Sequence, residues 1–187
     1  MALDRLWGLG TPDEELLAVA AALGSDVPFA LIGGTARGTG RGELVQPVPD
    51  SGTWWWVVVL NSAGLSTPSV YAAFDLLHEE DLDYRVHHAI LDTLRVNEGP
   101  LMLAEWLRND LEPPAFHLRP DLDETAQAVV DCGALQAHLS GSGPTMLGLA
   151  RDADDARTIA GRLAEKGYEH VLVAHGPVAG AHVVSYG

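Results

Sequence analysis

Cysteine and lysine are almost absent from this 187-residue chain: Cys132 is its only cysteine and Lys166 its only lysine. A single cysteine excludes an internal disulfide and any multi-cysteine zinc site, and it suits a reducing, cytoplasmic setting. Apolar runs such as Trp54–Leu60 fall far short of the roughly 20 residues that cross a bilayer. Positive charge is also scarce: 11 Lys and Arg face 26 Asp and Glu, for a net charge of −15. A chain this acidic is repelled by nucleic-acid backbone and by anionic membrane, and no local basic stripe offsets the repulsion. Neither is an expected partner. Met1–Arg5 shows no basic start leading into an apolar stretch, so no secretory signal is expected. What remains is ordinary globular composition, 47% hydrophobic and 20% charged.

Helix signals open the chain. Leu3, Leu6 and Trp7 stand at helical spacing before Gly8, and Thr11-Pro12-Asp13-Glu14 reads as a capping box for a helix running to Leu23. Within a glycine-dense stretch, Gly33 to Gly42, Thr35–Thr39 reads weakly as strand. Trp54–Leu60 reads as a strand buried on both faces. Helical patterns follow from Thr67, over about 84–96 and over about 99–111. Asp121-Leu122-Asp123-Glu124 predicts a second capping box, for a helix ending at Gly133. Strands are expected near 135–139, 146–150, 170–174 and 182–185, with a capped amphipathic helix over 152–166. The composition shift at Asn61–Gly64 marks the expected domain boundary, dividing 1–60 from 61–187. Helices on one face of a mainly antiparallel sheet make this an α+β two-layer sandwich.

Two segments suggest chemistry. In Leu23–Phe29, Asp26 lies just past a glycine and two residues before Pro28, which biases Val27 towards extended geometry. A carboxylate on a stiff connection is a sound mount for a general base, although capping a short helix is the commoner role for such an acid. In Ser140-Gly141-Ser142-Gly143-Pro144-Thr145, two glycines let backbone N–H groups face outward together, and hydroxyls can add hydrogen bonds to a phosphate. A plain glycine-rich hairpin is the commoner reading of such a loop alone. The neighbouring pair His87-His88 does not chelate, since adjacent helical side chains diverge by ~100°, and no metal site is expected. The triple tryptophan Trp54–Trp56 reads as strand core, and Cys132 as a packed thiol.

Five segments, taken in order and at their spacing, resemble the GHMP family of small-molecule kinases over essentially the whole chain. They are Leu23–Phe29, the glycine-rich Gly33–Glu43, Ser66-Thr67-Pro68-Ser69-Val70-Tyr71, Asn109–Pro113 and Ser140–Thr145. The resemblance implies a ferredoxin-like C-terminal domain over 61–187 and a remnant of the ATP-binding, catalytic domain over 1–60. It implies ATP-dependent phosphorylation of a small-molecule alcohol, with ATP and Mg2+ as cofactors. Of the family's branches, it best fits the one acting on the 2-hydroxyl of a cytidine-diphosphate-linked methylerythritol, in non-mevalonate isoprenoid precursor biosynthesis. Asp26 takes the position of the catalytic aspartate. Gly141, Ser142, Gly143 and Thr145 take the phosphate-site loop. Tyr71 takes the aromatic that stacks on cytosine, with Thr67 as a second substrate-binding residue.

The family also carries an early lysine and a glycine-serine loop that opens a helix and holds ATP phosphates. Neither is among these residues, since Lys166 lies beyond the last motif. The expectation is a truncated or decayed form that binds ATP very weakly and is inactive alone. A kinase for another small alcohol and a non-catalytic homologue stay open as alternatives. The oligomeric state is not legible.

Overall fold

A computed structural model describes residues 1–77 and 85–184 and divides the chain into two compact units. The first comprises Met1–Asp50 with the residues from Gly176 on, and the second Ser51–His175. The division expected after residue 60 therefore falls ten residues earlier. The reason lies in Trp54–Val59, which is a central strand of the second unit's sheet and not the end of the first unit.

In the first unit, helix α1 (Ala2–Trp7) ends at Gly8 in left-handed conformation, as the spacing predicts. Helix α2 (Asp13–Leu23) starts differently from expectation. Pro12 holds the cap position and Thr11 makes no capping bond. The Thr11 N–H instead donates to buried Asp4 at 2.9 Å. Its hydroxyl and N–H together hold the Asp4 carboxyl below the usual carboxylate range. Helix α3 (Val27–Ile32) follows, then an antiparallel hairpin of β1 (Ala36–Thr39) and β2 (Leu44–Pro47). The expected strand at 182–185 is not formed over 182–184, and Ser185 lies outside the described residues. The chain makes its contacts earlier, where Gly33 bridges Ala179 and the Ala181 N–H donates to the Ala30 carbonyl at 2.9 Å.

The second unit runs β3 (Trp54–Val59), α4 (Thr67–Leu77), α5 (Arg85–Val96), α6 (Pro100–Trp106), α7 (Glu112–Leu118), α8 (Asp121–Asp131), β4 (Gln136–Leu139), β5 (Met146–Ala150), α9 (Ala153–Glu165) and β6 (Val171–Gly176). The sheet order is β4-β5-β3-β6, with β5 antiparallel to both β3 and β4. Counted along this unit, the strands lie second, third, first, fourth. That is the split β-α-β-β-α-β arrangement of ferredoxin-like domains, as expected.

Its core forms where α8 and α9 pack on the sheet. Leu122 and Val129 from α8, Ile159 and Leu163 from α9, and Val57 and Met146 from the strands are buried together there. Gly148 lets α8 approach β5, because a side chain there would begin 2.5 Å from a methyl of Val129. Val129 is β-branched and buried, so it has little room to yield. Helix α9 is capped as expected: the Asp152 carboxylate accepts from the N–H groups of Asp154 and Asp155, both at 2.9 Å. The box expected at Asp121 is not used. Pro120 holds the cap position of α8, and Asp121 is drawn into an ion pair with Arg119. Helix α7 is an addition that the pattern did not predict. Pro113 and Pro114 fit its start, because the first helical positions need no N–H partner.

Candidate functional site

Asp26 stands in the first unit, immediately before α3, with helical backbone angles of φ −85 and ψ −13. Val27 is already the first helical residue, so the extended connection expected from Pro28 is absent. The short helix wins because Pro28, buried at its start, fits that position without a hydrogen bond to lose. Asp26 occupies the cap position but accepts no capping hydrogen bond, and its side chain is exposed. The competing role weighed above, a capping aspartate, therefore has no bond behind it.

The remaining candidates lie in the second unit. The Ser66 hydroxyl accepts from the Ser69 N–H at 3.4 Å and caps the start of α4. Val70 and Ala73 face the core, while Tyr71 is 52% exposed at the edge of that stripe. Thr67 and Tyr71, one helical turn apart, share a side of α4. The loop between β4 and β5 closes on itself: the Ser140 N–H donates to the Thr145 carbonyl and the Gly143 N–H to the Ser140 carbonyl, both at 2.9 Å. Gly143 has φ +80, and a side chain there would meet Leu139 at 2.7 Å, so only glycine fits. At Gly141 nothing stands within 4 Å of where a side chain would begin. Among the described residues, the N–H groups of Gly141 and Ser142 have no hydrogen-bond partner.

The structure brings two of these elements together. Thr67 Oγ1 and Ser142 Oγ lie 2.7 Å apart, joining the start of α4 to the loop 75 residues later. The approach to α4 is held by Arg119. Its guanidinium grips Asp121 through two bonds, at 2.7 and 2.6 Å, and donates to the carbonyl of Ala63 at 3.1 Å and of Gly64 at 3.3 Å. The sequence alone gives Arg119 no role, because the loop carbonyls it holds lie more than 50 positions away. The Arg119 hydrogen bonds hold the Asp121 carboxyl below the usual carboxylate range. A depressed folded value stabilises the pair above the ordinary carboxylate range, and that support is lost as the pH falls through the folded value. Protection of the amides at 61–66, the ratio of intrinsic to observed exchange rate, should therefore fall below pH ~4 while that of β5 is kept. Asp121→Asn should lower protection in this segment at neutral pH too. Protection that is the same in both proteins and indifferent to pH would contradict the latch.

Among the described residues, no helix is long and apolar enough to cross a membrane. Nor does any group of three or more His, Cys, Asp or Glu among them stand close enough to hold a metal ion.

Residues 97–169 match the family model for the C-terminal region of GHMP kinases. The chain therefore carries a GHMP-kinase C-terminal region over these residues. Over its full length it is 54% identical to a 4-diphosphocytidyl-2-C-methyl-D-erythritol kinase of a Nocardioides species, and spans 63% of that relative. The enzyme of the same name from Thermobifida fusca is 46% identical over 98% of the chain, which spans 60% of it. A crystal structure of 4-(cytidine 5'-diphospho)-2C-methyl-D-erythritol kinase superimposes with a TM-score of 0.74 at 32% identity, covering 93% of this chain and 60% of that one. The chain thus spans about three fifths of the length of the relatives it matches.

Proposed function

We propose that this chain is part of a small-molecule kinase that moves the γ-phosphoryl group of ATP to the 2-hydroxyl of 4-diphosphocytidyl-2-C-methyl-D-erythritol, in a cytoplasmic setting. The observation that carries the reading is the 54% identity to an enzyme of that name along the whole chain. The 2.7 Å contact between Thr67 and Ser142 supports it, since it joins the two segments that the reading assigns to substrate and to phosphate.

The roles follow from the chemistry. Phosphoryl transfer relies on positioning and on neutralising charge. The unpaired N–H groups of Gly141 and Ser142, with the open face at Gly141, fit an approaching phosphoryl oxygen. Thr145 and Gly143 shape the turn that presents them. Asp26, uncommitted to its helix, is the group that takes or orients the proton of the accepting hydroxyl. Tyr71 offers an exposed ring for cytosine to stack on. ATP supplies the transferred group and Mg2+ the countercharge, while among the described residues no cluster of ligands offers the ion a dedicated site.

The test of the substrate assignment uses a fusion of this chain with the part of the Nocardioides relative that it does not span. Stacking of a base on an aromatic ring is worth ~1–3 kcal/mol. Tyr71→Ala should therefore raise the KM for the cytidine substrate by about tenfold or more and leave the KM for ATP nearly unchanged. Tyr71→Phe should be mild. Equal weakening of both substrates would make Tyr71 a packing residue and remove the cytosine assignment.

A further inference from the structure

Strand β4 lies at an edge of its sheet, so the backbone groups on its outer side need partners other than a strand. At Leu139, its last residue, two side chains from one short segment supply them. The Leu139 N–H donates to Glu112 Oε1 at 2.7 Å, and the Leu139 carbonyl accepts from Asn109 Nδ2 at 2.8 Å. The same Nδ2 also donates to the Gly141 carbonyl at 2.8 Å. A side-chain amide carries two hydrogens, so both bonds are made together. Asn109 is itself fixed, because its oxygen accepts from the Leu111 N–H at 2.9 Å and closes a local turn. Glu112 is fixed by His138, whose Nδ1 lies 3.0 Å from the same carboxylate oxygen.

The hold on Gly141 determines where the next N–H points. The Gly141–Ser142 peptide is trans, so the Ser142 N–H is antiparallel to the Gly141 carbonyl. Asn109 grips the carbonyl and thereby aims the Ser142 N–H away from itself, where it has no partner among the described residues. The Ser142 hydroxyl is fixed separately, by Thr67.

We propose that Asn109 and Glu112 are positioning residues for phosphoryl transfer. They replace the missing neighbour strand at Leu139 and set the loop so that the Ser142 N–H faces a phosphoryl oxygen. The ligand in this proposal rests on the kinase reading above; the clamp itself rests on the contacts alone. Asn109→Asp keeps the shape but removes both donors and turns a carboxylate towards two carbonyls. Glu112→Gln keeps an acceptor for the Leu139 N–H, and Glu112→Ala does not.

Amide exchange of the 187-residue chain tests the clamp. Losing a hydrogen bond of ordinary strength should speed exchange at Leu139, Ser140 and Gly143 by about tenfold in Asn109→Asp and Glu112→Ala. Glu112→Gln should keep exchange slow, and β3 and β5 should stay protected in all three. Unchanged loop exchange, or acceleration spread evenly over the sheet, would overturn the proposal. In the fusion, Asn109→Asp should lower kcat by ~10- to 100-fold, the scale of a small misplacement of reacting groups, with both KM values little changed. A loosened loop with normal kcat would also overturn it. An unsubstituted fusion without kinase activity would sink the kinase reading, and the exchange data would still decide the clamp.

Discussion

Asp26→Asn in the fusion is expected to lower kcat by ~10²-fold or more, the scale of losing an acid–base group, with little change in either KM. The substitution is nearly isosteric and removes only the charge and the proton-accepting capacity. Its effect on folding should be small, because the Asp26 side chain makes no capping bond and is exposed. That separates it from most aspartates at helix starts, whose loss costs stability through the cap. Stability measured alongside turnover makes the result decisive. A variant that folds normally and turns over normally would return Asp26 to a structural role and leave the accepting hydroxyl without a base.

The second large effect is on stability. Leu122→Ala should destabilise the second unit by ~2–5 kcal/mol, the range for emptying a buried leucine site. Leu122 is fully buried near the start of α8, and its cluster includes Val57, Val129 and Ile159, so helix and sheet lose contact together. The denaturation midpoint should fall with an unchanged slope, since the surface exposed on unfolding stays nearly the same. Leu76→Ala is the control: Leu76 is 83% exposed on α4, and the cost should stay within about 0.5 kcal/mol. A Leu122 variant as mild as the Leu76 variant would mean that α8 does not anchor this core.

Elements with a local signal were legible in the sequence. Asp152 with its following acids announced α9, and the run from Trp54 announced β3. The run's place in the molecule was not legible, because strand pairing is non-local: β3 belongs to the sheet of β5, nearly 90 positions later, and this moves the division of the chain to Asp50 and Ser51. Caps were the weakest inferences. Thr11 and Asp121 have the residue types of capping boxes, but each is claimed by a nearby partner, Asp4 and Arg119, that composition alone does not rank above the helix N–H groups. The candidate site divides in the same way. The loop at Ser140–Thr145 was readable from its glycines, whereas the clamp on it comes from Asn109 and Glu112, about 30 residues away, with no periodicity to connect them. Asn109–Pro113 could be read as a motif, but its task becomes visible only once β4 is seen to be an edge.

Phosphate binding is where charge and site conflict most. The chain carries −15, which repels ATP at long range, and its one lysine, Lys166, lies just past the end of α9. Local backbone N–H groups must therefore do most of the holding, and the loop supplies only a few of them. The most direct measurement is transfer of labelled γ-phosphate from ATP, with Mg2+, to 4-diphosphocytidyl-2-C-methyl-D-erythritol, homoserine and mevalonate in parallel. The account predicts label on the 2-hydroxyl of the cytidine compound with the fusion, little on the other two alcohols, and only background with the 187-residue chain by itself. Preferred labelling of homoserine or mevalonate, or no transfer by a folded fusion, would contradict it.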